Sequence, residues 1–130
     1  MDYKELTGKA LKAKEVSLPT YSNFHVGAAV LTDNNKIYSA GNIESSSYSL
    51  TMCAERTAIF KAISEGERKF KAIAIASDLD GFCSPCGACR QVINDLCGEI
   101  DIVLVNKNKE TKIYKTSEML PHAFSDNDLK

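Results

Sequence analysis

A chain of 130 residues, 44% hydrophobic and 25% charged, has the size and balance of one globular domain spanning residues 1–130. It is long enough to bury about two-thirds of its unfolded surface without a disulfide framework. The formal net charge of −1 comes with no basic stripe, so a small-molecule partner is expected and no nucleic-acid partner.

The amino terminus, Met1-Asp2-Tyr3-Lys4-Glu5, lacks the apolar core of a signal peptide, and no apolar run approaches the length of a membrane span. The expected location is therefore the cytoplasm, with no membrane partner. Thiols stay reduced there, and the chain carries five: Cys53, Cys83, Cys86, Cys89 and Cys97. An odd number in a reducing compartment argues for metal binding or catalysis, not bridges.

In chain order, Asp2 to Val16 reads as a helix, with Asp2 as cap, Glu5 as its capping-box partner, and Tyr3, Leu6, Ala10 and Ala13 on one face. Pro19 ends it and opens a loop through Ser22. Phe24 to Leu31 and Lys36 to Ala40 read as a hairpin around the turn Asp33-Asn34-Asn35. The serine-rich stretch Asn42 to Met52 reads as a loop. Cys53 to Glu65 reads as a helix stopped by Gly66, apolar around much of its circumference and so placed deep in the fold.

The nearly continuous apolar run Lys71 to Ser77 predicts a central strand buried on both faces. Pro85 is expected just inside the next helix, which shows Ala88, Val92, Ile93 and Leu96 on one side and ends at Gly98. Ile100 to Val105 is a further strand and Lys112 to Tyr114 a short edge strand, with a last short helix at Thr116 to Leu120. Strands interleaved with helices predict a layered α/β domain around one sheet.

The chemistry lies in Cys53-Ala54-Glu55 and Pro85-Cys86-Gly87-Ala88-Cys89, each at a predicted helix start, where free N–H groups and the helix dipole favour thiolates. Cys86 and Cys89 stand one helical turn apart, so both sulfurs can face one ion. With Cys53 they make three ligands and leave a fourth tetrahedral position for water, the catalytic arrangement of zinc. Glu55, two residues from a ligand, is placed to handle protons. The combination resembles the signature of zinc-dependent deaminases.

The neighbouring residues each have a competing reading. Cys83 as a fourth ligand would close the site and leave a non-catalytic zinc module; a loop or packing residue is preferred. Cys97 reads as core filler, and His25 and His122 as isolated, hydrogen-bonded histidines. Arg56 has two equal readings, a surface ion pair or a guanidinium donating to the sulfurs. The latter would offset the net charge of about −1 on Zn²⁺ with three thiolates.

Over nearly its whole length the chain resembles the small homotetrameric cytidine deaminases. The likeness rests on Phe24-His25-Val26-Gly27-Ala28-Ala29, Asn42-Ile43-Glu44, Tyr48, Cys53 to Ala58, Pro85 to Gln91 and Ala123-Phe124. It implies a three-layer fold with a mixed five-stranded sheet between helices, and one Zn²⁺ per subunit held by Cys53, Cys86 and Cys89. It implies Glu55 as proton shuttle, Asn42 and Glu44 on a ribose hydroxyl, Phe24 against the base, and the Ala54 amide on the base carbonyl. Tyr48 and Phe124 would complete a neighbouring subunit's pocket. The implied reaction is hydrolytic deamination of cytidine and deoxycytidine in pyrimidine salvage.

Without the resemblance, Asn42 and Glu44 read as a solvated turn, and Phe24 and Phe124 as core. Glu44 would repel a nearby phosphate, which favours a nucleoside over a nucleotide. The chain departs from the family pattern at Thr20-Tyr21-Ser22, where proline is displaced to Pro19. Ser45 and Ser46 stand for the commoner Asn-Ala, His122 for a frequent glycine, and Cys83 is unusual. These departures ring the pocket. Rival substrates are blasticidin-like aminonucleosides and a base within nucleic acid.

Overall fold

The computed structural model describes residues 2–129. Helix α1 (Lys4–Ala13) continues into a 3₁₀ turn (Lys14–Val16), followed by strands β1 (Val26–Thr32) and β2 (Ile37–Gly41). A 3₁₀ turn (Tyr48–Leu50) then precedes α2 (Ala54–Ser64), β3 (Phe70–Ser77), α3 (Gly87–Cys97), β4 (Asp101–Val105), β5 (Thr111–Lys115) and α4 (Thr116–Met119). The five strands form one sheet in the order β2-β1-β3-β4-β5. Only β3 and β4 run parallel; the other neighbours are antiparallel, so the sheet is mixed, as expected.

Strand alternation sorts the core into two layers. Val26, Ala28, Val30, Ile73, Ile75, Ile102 and Leu104 face α2, α3 and α4, where Ala58, Ile59, Ile93 and Met119 meet them. Ala29, Ala72, Ala74, Ala76, Val103 and Val105 face Leu6 and Ala10 of α1. The alanine-lined side lets α1 lie close to the sheet. Gly27 carries the closest approach: a Cβ there would stand 2.1 Å from the Ala10 carbonyl oxygen. Three layers result, with the sheet in the middle.

The element boundaries differ from expectation where caps are involved. Tyr3, not Asp2, caps α1; Asp2 instead accepts the Lys4 N–H at 2.9 Å, and Glu5 stays exposed. Pro85 lies outside α3, because Cys86 is its cap with extended backbone. Gly98 ends α3 at φ 74°, a conformation that suits glycine, and its N–H reaches the Ile93 carbonyl. Strand β5 is two residues longer than expected, since its edge pairs with all of β4. Among the described residues no helix is long and apolar enough to cross a membrane.

Candidate active site

Val26 pairs with Ser77, so the start of β1 and the end of β3 share one edge of the molecule. From that edge the segment 78–86 leads into α3. Cys86 is the cap of α3, Cys89 lies in its first turn, and Cys53 is the cap of α2. The topology thus brings two helix starts together, and the three sulfurs lie within 4.8 Å of one another. Cys89 is buried, Cys53 half-buried and Cys86 exposed, so the cluster opens to one side.

The donor set fits zinc. Four-coordinate zinc with Zn–S bonds of about 2.3 Å sets sulfurs roughly 3.8 Å apart, within reach of this spacing. Arg56 Nη2 donates to Cys53 Sγ at 3.4 Å, and its Nε is buried with no hydrogen-bond partner. Of the two readings open for Arg56, the contact to sulfur is the one observed. A guanidinium against thiolates is the charge balance that a three-cysteine zinc site needs. Cys83 lies outside the cluster, half-buried, with its thiol 3.9 Å from the Ser84 carbonyl.

The electrostatics follow from burial and from the shared thiol protons. Cys53 is drawn down to about 5, first by the hydrogen bond from the Cys89 thiol and then by Arg56. Cys89 is pushed up by the same bond and by burial. Glu55, 5% exposed, is raised to about 7, first by burial and further by the Cys53 thiolate. Burial alone pushes Cys97 up to about 12, and Cys97 packs against the core as expected. Cys83 is raised, first by burial and then by the charges of Glu55, Cys53 and Cys86.

The remaining expected residues have the following surroundings. Ala54 is fully buried and begins α2, where N–H groups lack intrahelical partners. Asn42 is no solvated turn residue: it is 9% exposed, accepts the Val26 N–H at 2.9 Å and donates to the Phe24 carbonyl at 3.0 Å. Phe24 is half-buried against the core. Glu44 lines a cavity of about 320 Å³ with Tyr21, Ser22, Tyr48 and Thr51. The Tyr48 ring stands edge-on to Tyr21 at 5.9 Å, and Tyr48 is 73% exposed. Phe124 is also exposed, and its carbonyl accepts from Gln91 Nε2 at 2.8 Å.

The family of the cytidine and deoxycytidylate deaminase zinc-binding region matches residues 1–107. The chain belongs to this family. A cytidine deaminase from Sporosarcina psychrophila is 48% identical over 130 residues, covering 99% of this chain and 96% of its own. A second, from Halalkalibacterium halodurans, is 44% identical over 130 residues, covering 99% and 98%. Among solved structures, a cytidine deaminase from Burkholderia pseudomallei superposes with a TM-score of 0.92 at 40% identity, covering 95% of this chain and all of that one. The cofactor of the family's zinc-binding region is zinc, and the three-cysteine cluster is able to hold it.

Sequence reasoning missed several supports of this family site. Arg90 donates from Nε to the Pro85 carbonyl and from Nη1 to the Met119 carbonyl, each at 2.8 Å, bracing the turn that presents Cys86. Tyr21 and Ser22 hold Glu44 through hydrogen bonds spanning more than 20 positions. Arg90 had a signal, its place one residue after Cys89. Ser22 had only its neighbourhood to the β1 stretch. His25 is hydrogen-bonded through Nδ1 to Ser17 Oγ at 2.7 Å, as an isolated histidine should be.

Proposed function

We propose that this chain is a zinc-dependent hydrolytic cytidine deaminase, converting cytidine and deoxycytidine to uridine and deoxyuridine with release of ammonia, as in pyrimidine salvage. The carrying observation is a buried carboxyl, Glu55, beside three cysteine sulfurs that can grip one ion. Zinc held by Cys53, Cys86 and Cys89, one per subunit, supplies the Lewis acidity that makes water a nucleophile at neutral pH.

Glu55 takes a proton from the attacking water and hands it to ring N3, which makes C4 electrophilic. Oxygen bonds to C4, giving a tetrahedral carbon. Glu55 then takes the proton of the new C4 hydroxyl and delivers it to the amino group; the C4–N bond breaks, C4=O forms, and ammonia leaves. Its burial keeps bulk water from competing for these protons. The Ala54 N–H steadies the base carbonyl, Phe24 packs on the base, and Asn42 and Glu44 take a sugar hydroxyl. Glu44 also disfavours a phosphate near the sugar. Arg56 draws charge from the sulfurs without touching substrate.

We read residues 1–130 as one domain acting in the cytoplasm as a homotetramer, without nucleic-acid or membrane partners. Exposed Tyr48 and Phe124 suit that assembly, each free to close a neighbouring subunit's pocket. The test is ultraviolet and ammonia assay of zinc-loaded protein with cytidine, deoxycytidine, CMP, adenosine and a blasticidin-type aminonucleoside. Cytidine and deoxycytidine are expected to react; ammonia from none of the five overturns the reading. Cys83→Ser is expected to retain zinc and turnover, whereas loss of zinc in this variant from a protein without turnover would point to a closed, non-catalytic centre.

A further inference from the structure

The Glu44 carboxylate is built into the loop before β1. Its Oε1 accepts the backbone N–H groups of Tyr21 and Ser22, each at 2.9 Å, and its Oε2 accepts the Ser22 hydroxyl. The Ser22 oxygen also accepts the N–H of Phe24 at 3.0 Å. From Phe24 the chain of bonds runs on, its carbonyl accepting from Asn42 Nδ2 and Asn42 Oδ1 accepting from Val26. Ser22 is therefore the side chain that joins Glu44 to Phe24 and, through it, to Asn42.

Valence counting sharpens this. A hydroxyl has one proton to donate, and Ser22 gives it to Glu44 while its lone pair takes the Phe24 N–H. A carboxylate offers about four acceptor sites, and here three are filled. The remaining site, on Oε2, has room for one hydroxyl donor.

We propose that Ser22 is a positioning residue, which aims Glu44 at a single sugar hydroxyl and holds that carboxylate in register with Phe24 against the base. The proposal rests on reading Glu44 as the sugar contact. Alanine would leave Oε2 free to swing, and cysteine has only a weak donor. Threonine keeps the hydroxyl.

The test compares kcat/KM for cytidine and for 2′,3′-dideoxycytidine, which lacks the 2′ and 3′ hydroxyls, in zinc-loaded protein. Ser22→Ala is expected to reduce the cytidine:dideoxycytidine ratio about tenfold, through KM, the scale of one hydrogen bond to a charged group. Ser22→Thr is expected to restore the ratio, and Ser22→Cys, close in size, to lower it even where the alanine variant folds poorly. A ratio unchanged in Ser22→Ala and Ser22→Cys overturns the positioning role, as does an equal fall in kcat for both nucleosides. Glu44→Gln separates the two claims: should it leave the ratio intact, the sugar contact itself is wrong.

Discussion

The two ends of the site are built by different means. At the cysteine end, Cys89 is fully buried and Glu55 is 5% exposed, and every ligand comes from a helix cap or first turn. At the proposed sugar contact, Glu44 lines a surface cavity and takes its bonds from a loop 22 and 23 positions earlier. The cysteines and Glu55 are thus held by regular structure and burial, whereas Glu44 is held by hydrogen bonds between loops. Such a division lets rim residues vary while the chemistry stays fixed.

The cysteine end should break hardest. Cys89→Ala removes the one fully buried sulfur, and two thiols cannot replace a three-point grip. Zinc is expected to fall from one per subunit to none, with activity at background; metal analysis beside an ammonia assay checks both. Retained metal with retained turnover would mean that the cluster is not the reaction centre. Glu55→Gln keeps the shape and removes the proton carrier, so kcat is expected to drop about 10²- to 10⁴-fold while zinc stays bound. Loss of the metal together with activity would make Glu55 a structural residue.

Arg56 tests whether the charge balance of that end matters. Arg56→Gln removes the guanidinium 3.4 Å from Cys53 and leaves the sulfurs' negative charge without an offset. Zinc affinity is expected to fall about 10- to 100-fold, as for other groups that support metal ligands. Competition against a chelating indicator measures it, and unchanged affinity would reduce the contact to packing.

The same division explains what could be read before any coordinates. Cys86 and Cys89 lie within one helical turn, so local periodicity alone brought that pair to one face, and Glu55 was legible from its place two residues after Cys53. The sheet was legible too, because the nearly continuous apolar run Lys71–Ser77 marks a central strand buried on both faces. Cap positions were less so: Pro85 reads as a first-turn residue, yet Cys86 takes the cap. Ser22 was seen only as part of the Thr20-Tyr21-Ser22 segment, and its role was not legible, since its partner Glu44 is distant in sequence and no period links them. Asn42 was misjudged from residues alone, as its burial depends on β1 folding over it.

The smallest expected effect lies away from both ends. Asp101 on β4 accepts from the Lys115 ammonium at 2.6 Å and from the Tyr3 hydroxyl, pinning α1 to the far edge of the sheet. The Lys115 bond, and then the Tyr3 bond, hold the Asp101 carboxyl below the usual carboxylate range. A carboxyl depressed in the folded state stabilises the fold above its unfolded pKa of about 3.9, and that contribution fades as pH falls through the folded value. Asp101→Asn is therefore expected to lower Tm by a few degrees at pH 7, and the gap from the parent protein should narrow as pH drops below about 4. Turnover at saturating cytidine should not move, because neither end of the site touches this pin. A kcat that fell with Tm would mean that α1 transmits strain through Gly27 into β1, and the separation of chemistry from scaffold would have to be redrawn.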